Sequence, residues 1–305
     1  MTLLATLLGA ALIAVALRDV FQQLFHPGAS GSLSRSLMRA IWGLFRRIAA
    51  PRRRAFLSFA GPSALLAIIA SWVALLWAGW ALVYWPHMPE DFSFSPGLDR
   101  QAQDGFVDAL YLSLTTMTTL GYGDISPSVA WLRILATLQA LTGFGLLTAS
   151  VTWVLSLNPA FHRRRFLARE ISLVGESEQE HGDLLDGTSA DAADRTLKDL
   201  TSALIGVQGD LVRFPVTYYF HNADEKASLP AVMPYLLGLA KRATGEQRSP
   251  EVRRRGAMLR GAIDDFSATL VWSFVGSSDP SSASTEEVLE AYAEDHLHPP
   301  SKRPE

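Results

Sequence analysis

Residues 118–124, Thr-Thr-Leu-Gly-Tyr-Gly-Asp, carry the residue types from which a protein can build a cation site. A dehydrated cation needs a shell of oxygen atoms in place of its water, and backbone carbonyls supply them when successive residues alternate in handedness. Glycine adopts positive φ values without a Cβ penalty, and Gly121 and Gly123 stand at alternate positions. The Thr119 hydroxyl would add another oxygen. The stretch therefore predicts an ion-coordination loop, with Tyr122 directed outward as a brace.

The segment before this loop is apolar but too short to cross a membrane. It runs from Phe106 to about Thr118, with Asp104 as a candidate N-terminal cap and Gly121 ending the helical pattern. Irregular backbone at membrane depth is tolerated only where it faces protein or a water-filled path. We therefore expect a re-entrant pore helix, whose negative C-terminal dipole end points toward the ion pathway.

Two long apolar stretches flank this segment. Residues 62–85 and 134–157 are each 24 residues long without a charged side chain, and about 20 apolar residues suffice to cross a membrane. Residues 1–17 are a third candidate span, and apolar residues resume beyond Arg18-Asp19, so the helix is expected to continue. A cleaved signal peptide is the alternative, but no basic residue precedes Arg18.

Composition agrees with a membrane protein that has an aqueous part. Hydrophobic residues make up 49% and charged residues 19%, and there is no cysteine. These values exclude a disulfide-stapled secreted scaffold, a zinc-thiolate protein and thiol redox switching. Residues 1–159 carry a net charge of +3, and residues 160–305 carry −6, so a basic membrane half precedes an acidic aqueous half.

Charges in the loops predict the orientation. Cytoplasmic loops are rich in Arg and Lys, which places residues 27–60 and the start of the tail inside and residues 86–105 outside. The protein is thus expected in the cell membrane as a multi-pass protein with its N-terminus outside and its C-terminal domain in the cytoplasm. The preference for Arg over Lys indicates a GC-rich, bacterial source. The inside arginines are Arg35, Arg39, Arg46, Arg47, Arg52, Arg53, Arg54, Arg163, Arg164, Arg165 and Arg169.

The basic loop also has a helical pattern. Apolar residues recur there at steps of three and four, which is typical of a helix lying in the membrane interface. A helix packed on the protein's own tail is the open alternative. The apolar positions are Leu33, Leu37, Ile41, Leu44 and Ile48, with Trp42 beside them.

The loop resembles the selectivity filter of the potassium channels, whose TVGYG sequence forms rings of backbone carbonyls. The resemblance covers about residues 62–160. After the filter come Pro127, Trp131 and Arg133, and an inner helix carries Gly143, 20 residues beyond Gly123. The chain looks like a bacterial two-transmembrane-type (pore-loop) potassium channel with an extra N-terminal transmembrane helix.

This resemblance implies a homotetramer, because one chain supplies one quarter of a filter. It implies K+ as the permeant ion and no cofactor. Leu120 departs from the commoner valine or isoleucine, and Thr115 stands where some channels carry a carboxylate, so that carboxylate's filter-supporting network is expected to be absent. The implied filter residues are Thr119, Leu120, Gly121, Tyr122 and Gly123, the first four coordinating K+, with Thr118, Asp124 and Thr115 as support.

Gly143 and Gly145 are candidate gate-hinge residues of the inner helix. Small residues in membrane helices also serve close packing between helices. The sequence leaves both roles open.

The tail reads as helical, with apolar faces in residues 197–211 and 252–274 and a third helix over 231–243. Residues 175–194 look like an acidic linker, and the end from His298 is expected to be disordered. Residues 214–221 either line a ligand pocket or a subunit contact, or they form a buried connection between helices. No voltage-sensor arginine pattern, dinucleotide motif or EF-hand loop identifies a gating input.

The predicted fold is an all-α membrane protein with three transmembrane helices, a re-entrant pore helix and filter loop, and a cytoplasmic helical domain. The predicted parts are 1–26 (N-terminal span), 27–60 (basic interfacial segment), 61–160 (pore domain), 161–276 (cytoplasmic helical domain) and 277–305 (Ser/Pro-rich tail with a short acidic helix).

The predicted function is passive, potassium-selective conduction, gated by an unknown input through the cytoplasmic domain. Membrane lipid is an expected partner, an unidentified cytoplasmic ligand or protein is a candidate partner, and nucleic acid is not expected. The alternatives are a poorly discriminating cation channel, a subunit of a potassium transporter, and a membrane-tethered sensor or enzyme. No catalytic constellation supports an enzyme.

Overall fold

A computed structural model describes residues 2–25, 31–48, 54–96, 105–187, 190–222, 224–274 and 283–298. Among these residues, three helical stretches are long and apolar enough to cross a membrane, namely Thr2–Phe25, Phe56–His87 and Ala130–His181. The chain is an all-α membrane protein, as predicted. Asp104, Arg52 and Arg53, to which the sequence assigns roles, lie outside the described residues.

Ten α-helices and one pair of short strands make up the described part of the chain. In order they are α1 (Thr2–Phe25), α2 (Ser32–Ile48), α3 (Ala60–Tyr84), β1 (Phe92–Phe94), α4 (Phe106–Met117), β2 (Ile125–Pro127), α5 (Ala130–His181), α6 (Leu184–Gly187), α7 (Ala190–Arg213), α8 (Leu229–Ala243), α9 (Pro250–Ser273) and α10 (Thr285–Asp295). Short 3-10 turns precede α3, follow it, and join α7 to α8.

The chain divides into two compact units. The first unit comprises residues 1–37 and 65–156, and the second comprises residues 38–64 and the chain from 157 onward. Since α5 is continuous across residue 160, the predicted start of a separate domain at 161 does not coincide with the end of a helix. The five-part division remains a prediction.

In the first unit, α1 packs along α3. A Cβ at Gly9 would overlap the Gly79 carbonyl oxygen, so the two backbones approach closely there. The helix continues past Arg18-Asp19, in agreement with the prediction. Asp19 and Gln23 lie on its buried face, which carries these polar groups inside a candidate membrane span.

The second unit buries the apolar faces predicted for the tail. α7 and α9 turn these faces inward, and α8 begins at Leu229, two residues before its predicted start. The buried members are Leu197, Leu200, Leu204, Val207, Leu211, Val252, Leu259, Ile263, Phe266 and Leu270.

One expectation for the tail was wrong, and another is tested at a single residue. The predicted linker is helical to His181, because Glu178 accepts hydrogen bonds from Tyr235 (2.6 Å) and Arg242 (2.7 Å) that hold this end of α5 in place. His298, the first residue of the end expected to be disordered, is buried and lies 2.7 Å from the Ser228 hydroxyl, and the rest of that end lies outside the described residues. Such contacts between distant parts of the chain leave no local sequence signal.

The aromatic stretch after α7, residues 214–221, is a buried connection that joins α2 to α10. The Tyr218 hydroxyl and the Trp42 indole both donate to Asp295 Oδ2, at 2.7 and 2.9 Å, and Arg46 pairs with the same carboxylate. The helix predicted in the basic loop thus packs on the protein's own tail through Trp42. Its apolar residues Leu44 and Ile48 stay exposed.

His296 belongs to the same cluster, and its burial predicts that the stability of the protein depends on pH. Burial, with a smaller contribution from Arg164, holds its pKa well below the usual value, so the folded state keeps the ring neutral. The unfolded chain therefore binds more protons than the folded protein at low pH. The free energy of unfolding has its full value above about pH 6.5 and falls as the pH drops, by up to about 1.4 kcal/mol per pH unit.

We expect amide hydrogen exchange in α10 of the full-length protein, corrected for intrinsic rates, to accelerate between pH 6.5 and 5. In His296→Gln, overall protection should be lower but this pH dependence should flatten. An equally steep dependence in both proteins would assign it to other groups.

Candidate ion-coordination site

The loop of residues 118–124 is positioned by the half-length helix α4. The N-cap of α4 is Gly105, whose amide donates to Asp108 Oδ2 at 3.2 Å, and α4 ends one residue before its predicted end. The indole of Trp77 on α3 donates to the Leu110 carbonyl at 2.7 Å. The preceding span therefore holds the pore helix near its middle.

Three residues at alternate positions of the loop have positive φ angles. They are Thr119 at 58°, Gly121 at 49° and Gly123 at 78°. A Cβ built on either glycine would meet nothing within 4 Å, so the backbone angle rather than space requires glycine there. Thr119 takes the left-handed conformation at a steric cost that glycine would not bear. The handedness alternates in agreement with the prediction, with Thr119 as an added member.

One carbonyl at the end of α4 holds the start of the loop. The Thr115 oxygen accepts hydrogen bonds from the amides of Leu120 (2.9 Å) and Gly121 (3.1 Å). This contact satisfies backbone groups that have no helical partner, as backbone at membrane depth requires. Thr118, another predicted support residue, donates its hydroxyl back to the Leu114 carbonyl at 2.8 Å.

The far end of the loop is held by Asp124. Its Oδ2 accepts the Tyr111 hydroxyl at 2.6 Å, and its carbonyl accepts the Ser95 amide at 2.9 Å. The hydroxyl of Thr115 bonds only within α4, so a tyrosine from one turn earlier makes the link to Asp124. Sequence reasoning missed Tyr111, because an aromatic residue in a short apolar helix carries no signal of its partner.

The short ribbon of β1 and β2 also anchors this end. Phe94 pairs with Ile125 and Phe92 with Pro127 in antiparallel register. The ribbon was not predicted, because each strand has only three residues and lacks a strand-length pattern.

Behind the pore helix lies a buried polar network centred on Gln139, which is 0% exposed. Its amide oxygen accepts the Tyr84 hydroxyl at 2.7 Å, and its amide nitrogen donates to the carbonyl and hydroxyl of Ser113, both at 2.8 Å. The network joins α3, α4 and α5. Sequence reasoning missed Gln139, although a polar residue in an uncharged span is a functional signal in membranes.

The two candidate hinge glycines differ in their surroundings. A Cβ at Gly143 would overlap the Met117 carbonyl oxygen, so Gly143 lets α5 approach the end of α4 closely. A Cβ at Gly145 would meet nothing within 4 Å, and α5 is helical through both positions. Close packing explains Gly143, and the hinge role stays a prediction for both.

The loop itself is exposed in the single chain. Leu120 is 56% and Tyr122 69% exposed, and Thr119, Gly121 and Gly123 are exposed as well. Among the described residues no cluster of His, Cys, Asp or Glu has the arrangement of a metal site. The oxygen atoms of the loop stay the ligands that the sequence predicts for a cation.

Residues 67–158 match the Ion_trans_2 family, which is described as ion channel. The match spans the second apolar helix, the pore helix, the loop and the membrane part of α5. This part of the chain is therefore similar to an ion-channel family, over the segment that carries the helix α4 and the loop.

Similar proteins fall into two groups. An uncharacterized membrane protein, YdjJ of Bacillus subtilis (strain 168), is 27% identical over 235 residues, which cover 74% of this chain and 66% of that protein. Two-pore potassium channel 5 of Arabidopsis thaliana is 49% identical over 55 residues, covering 17% of this chain and 14% of that channel. Two-pore potassium channel 2 of the same plant is 46% identical over 55 residues, covering 17% of this chain and 12% of that channel. The chain thus spans less than two thirds of these relatives, and no solved structure matches it.

Gln139→Leu should destabilise the protein without touching the loop. The substitution leaves the Tyr84 hydroxyl without its partner in a buried site, at a cost of about 1–3 kcal/mol, and also removes the hydrogen bonds that Gln139 donates to Ser113. We expect a clearly lower thermal midpoint of the purified protein.

The matched control is Thr142→Val on the same helix, whose hydroxyl bonds only to carbonyls of α5. Its thermal midpoint should stay near that of the unmodified protein. Equal midpoints for Gln139→Leu and Thr142→Val would contradict a stabilising role for the network.

Proposed function

We propose that the protein is a potassium-selective channel that conducts K+ passively as a homotetramer. The observation that carries this proposal is the loop of residues 119–123, with its alternating positive φ angles, held at the end of a half-length helix between two spans. Carbonyl rings of this kind replace the hydration shell of K+ in potassium channels. The potassium channels of Arabidopsis match this chain in part, which agrees with K+ as the ion.

A tetramer follows from the incompleteness of one chain. A single loop supplies oxygens from one side only, whereas a dehydrated cation needs them all around. In potassium channels four such loops surround the ion. The exposure of Tyr122 in the single chain fits a ring that packs against a neighbouring copy rather than against its own.

Each filter residue then has a defined role. The carbonyls of Thr119, Leu120, Gly121 and Tyr122, with the Thr119 hydroxyl, coordinate K+. Gly123 completes the alternation, and α4 directs the negative end of its dipole toward the ion. The bonds from Thr115 and Asp124 fix the two ends of the loop, so that the oxygens need little reorganisation to receive the ion.

Gating acts through the second unit in this proposal. The helix α5 is continuous from Ala130 to His181, so it gives the cytoplasmic helices a direct covalent link to the pore. In this proposal the N-terminus lies outside the cell membrane of a bacterium and this second unit lies in the cytoplasm, an orientation that the loop charges favour. The input is a ligand or protein still to be identified.

The reversal potential of purified, reconstituted protein under a K+/Na+ gradient tests the conduction proposal. We expect reversal near the potassium equilibrium potential. This selective current should be lost in Gly121→Asp, because a residue with a Cβ is strained at the positive φ of position 121 and the added carboxylate would disturb the ring of carbonyls. Reversal near zero with a robust current would overturn selectivity, and absence of current in the unmodified protein would overturn conduction.

Gly209→Asp is the matched control, since Gly209 lies in α7 with nothing within 4 Å of a built Cβ. It should conduct like the unmodified protein. The mass of the detergent-purified assembly, expected at four times the 33.3 kDa of one chain, tests the tetramer separately.

A further inference from the structure

A buried carboxyl group lies inside the first candidate membrane span. Asp19 of α1 is 3% exposed, on the face that packs against α3. Ionisable residues in membrane spans are costly and mark functional positions unless they are merely paired for structure. The proposed conduction pathway makes no use of this residue.

Two donors from different elements meet on one oxygen of this group. Asp19 Oδ2 accepts the Ser34 hydroxyl of α2 at 2.5 Å and the indole N–H of Trp72 on α3 at 2.8 Å. A Cβ at Gly31 would overlap Asp19 Oδ1, so the chain before α2 passes directly over the carboxyl group. One side chain thus ties together α1, the beginning of α2, and α3.

The contact continues from Trp72 to the inner helix. The Trp72 ring lies 5.6 Å from the ring of Trp153 on α5, and both rings are buried. Trp153 follows Gly143 by ten residues, or about 15 Å along a helix. An unbroken series of packed groups therefore runs from Asp19 through Trp72 to the part of α5 beyond the candidate hinge.

We propose that Asp19 is a positioning residue for conduction, which fixes Trp72 against Trp153 and thereby sets the open probability of the pore. The N-terminal helix is then a working part of the channel rather than only an anchor. This inference rests on the proposed function. It leaves the filter out, because neither Asp19 nor Trp72 touches residues 118–124, so ion selectivity should not depend on them.

The physical basis is the rigidity of a packed ring whose orientation is fixed at one edge. The hydrogen bond to Asp19 holds the Trp72 indole in one orientation, and close packing passes that orientation to Trp153. When the acceptor is lost, the indole N–H is buried without a partner and the ring gains other orientations. The inner helix then occupies its conformations in a different ratio.

Single-channel recording of four variants in bilayers tests the proposal. Asp19→Leu removes the acceptor and Trp72→Phe removes the donor. Both should change the open probability in the same direction and by at least about threefold, which lies within the range that one hydrogen bond contributes. The reversal potential should remain unchanged. Asp19→Asn keeps an acceptor oxygen and should stay within about twofold of the unmodified channel.

Trp80→Phe is the matched control on α3. Trp80 is buried, and its indole N–H has no acceptor in the described part of the chain, so the same substitution removes no hydrogen bond. Its open probability should stay within about twofold of the unmodified value. Unchanged open probability in Trp72→Phe, opposite shifts in the two disrupting variants, or an equal shift in Trp80→Phe would overturn the proposal.

Amide hydrogen exchange of residues 146–157 provides a readout that needs no current. Exchange in this part of α5 should accelerate in Asp19→Leu and Trp72→Phe but not in Trp80→Phe. A silent unmodified channel would refute the proposed function, while this exchange pattern would still decide the coupling. A lower thermal midpoint with unchanged exchange and open probability would reduce Asp19 to a structural role.

Discussion

Backbone N–H and C=O groups at membrane depth must find partners inside the protein, and the segment around the loop is arranged to meet that constraint. The helix α4 satisfies its own groups, and the Thr115 carbonyl then accepts the first two amides of the loop that lack helical partners. The β1–β2 ribbon takes up the backbone that follows. The carbonyls of the loop that these bonds do not use are the oxygens that the proposed cation site requires.

Polar side chains at two levels of the first unit join helices that apolar packing alone would leave free to slide. Gln139 connects α3, α4 and α5 behind the pore helix, and Asp19 connects α1, α2 and α3. Lipid is as apolar as the helix surfaces, so hydrophobic burial gives little preference for one register over another there. Directional hydrogen bonds supply that preference.

The second unit is held together mainly by the burial of apolar side chains. Its helices α7, α8 and α9 enclose an apolar core, and Asp295 collects the Trp42 indole, the Tyr218 hydroxyl and the Arg46 guanidinium. Through this carboxylate the basic loop between the first two spans becomes part of the unit that follows the third. In the proposed function, α2 and α5 are the two chain segments that link this unit to the spans.

The sequence by itself determined the spans, the pore helix, the loop and the apolar faces of the tail, because periodicity, length and glycine placement are local properties. Glycines at the alternate positions 121 and 123 are enough to predict alternating backbone handedness. Only the tertiary structure decided that Thr119 joins this alternation and that Tyr111 rather than Thr115 reaches Asp124.

It also decided that residues 175–181 are helical, that His298 is buried, and that Gln139 and Asp19 each join three helices. The reason is the same in each case. These residues obtain their partners from segments 15 to 70 positions away, and a sequence pattern read over one or two turns carries no record of such partners.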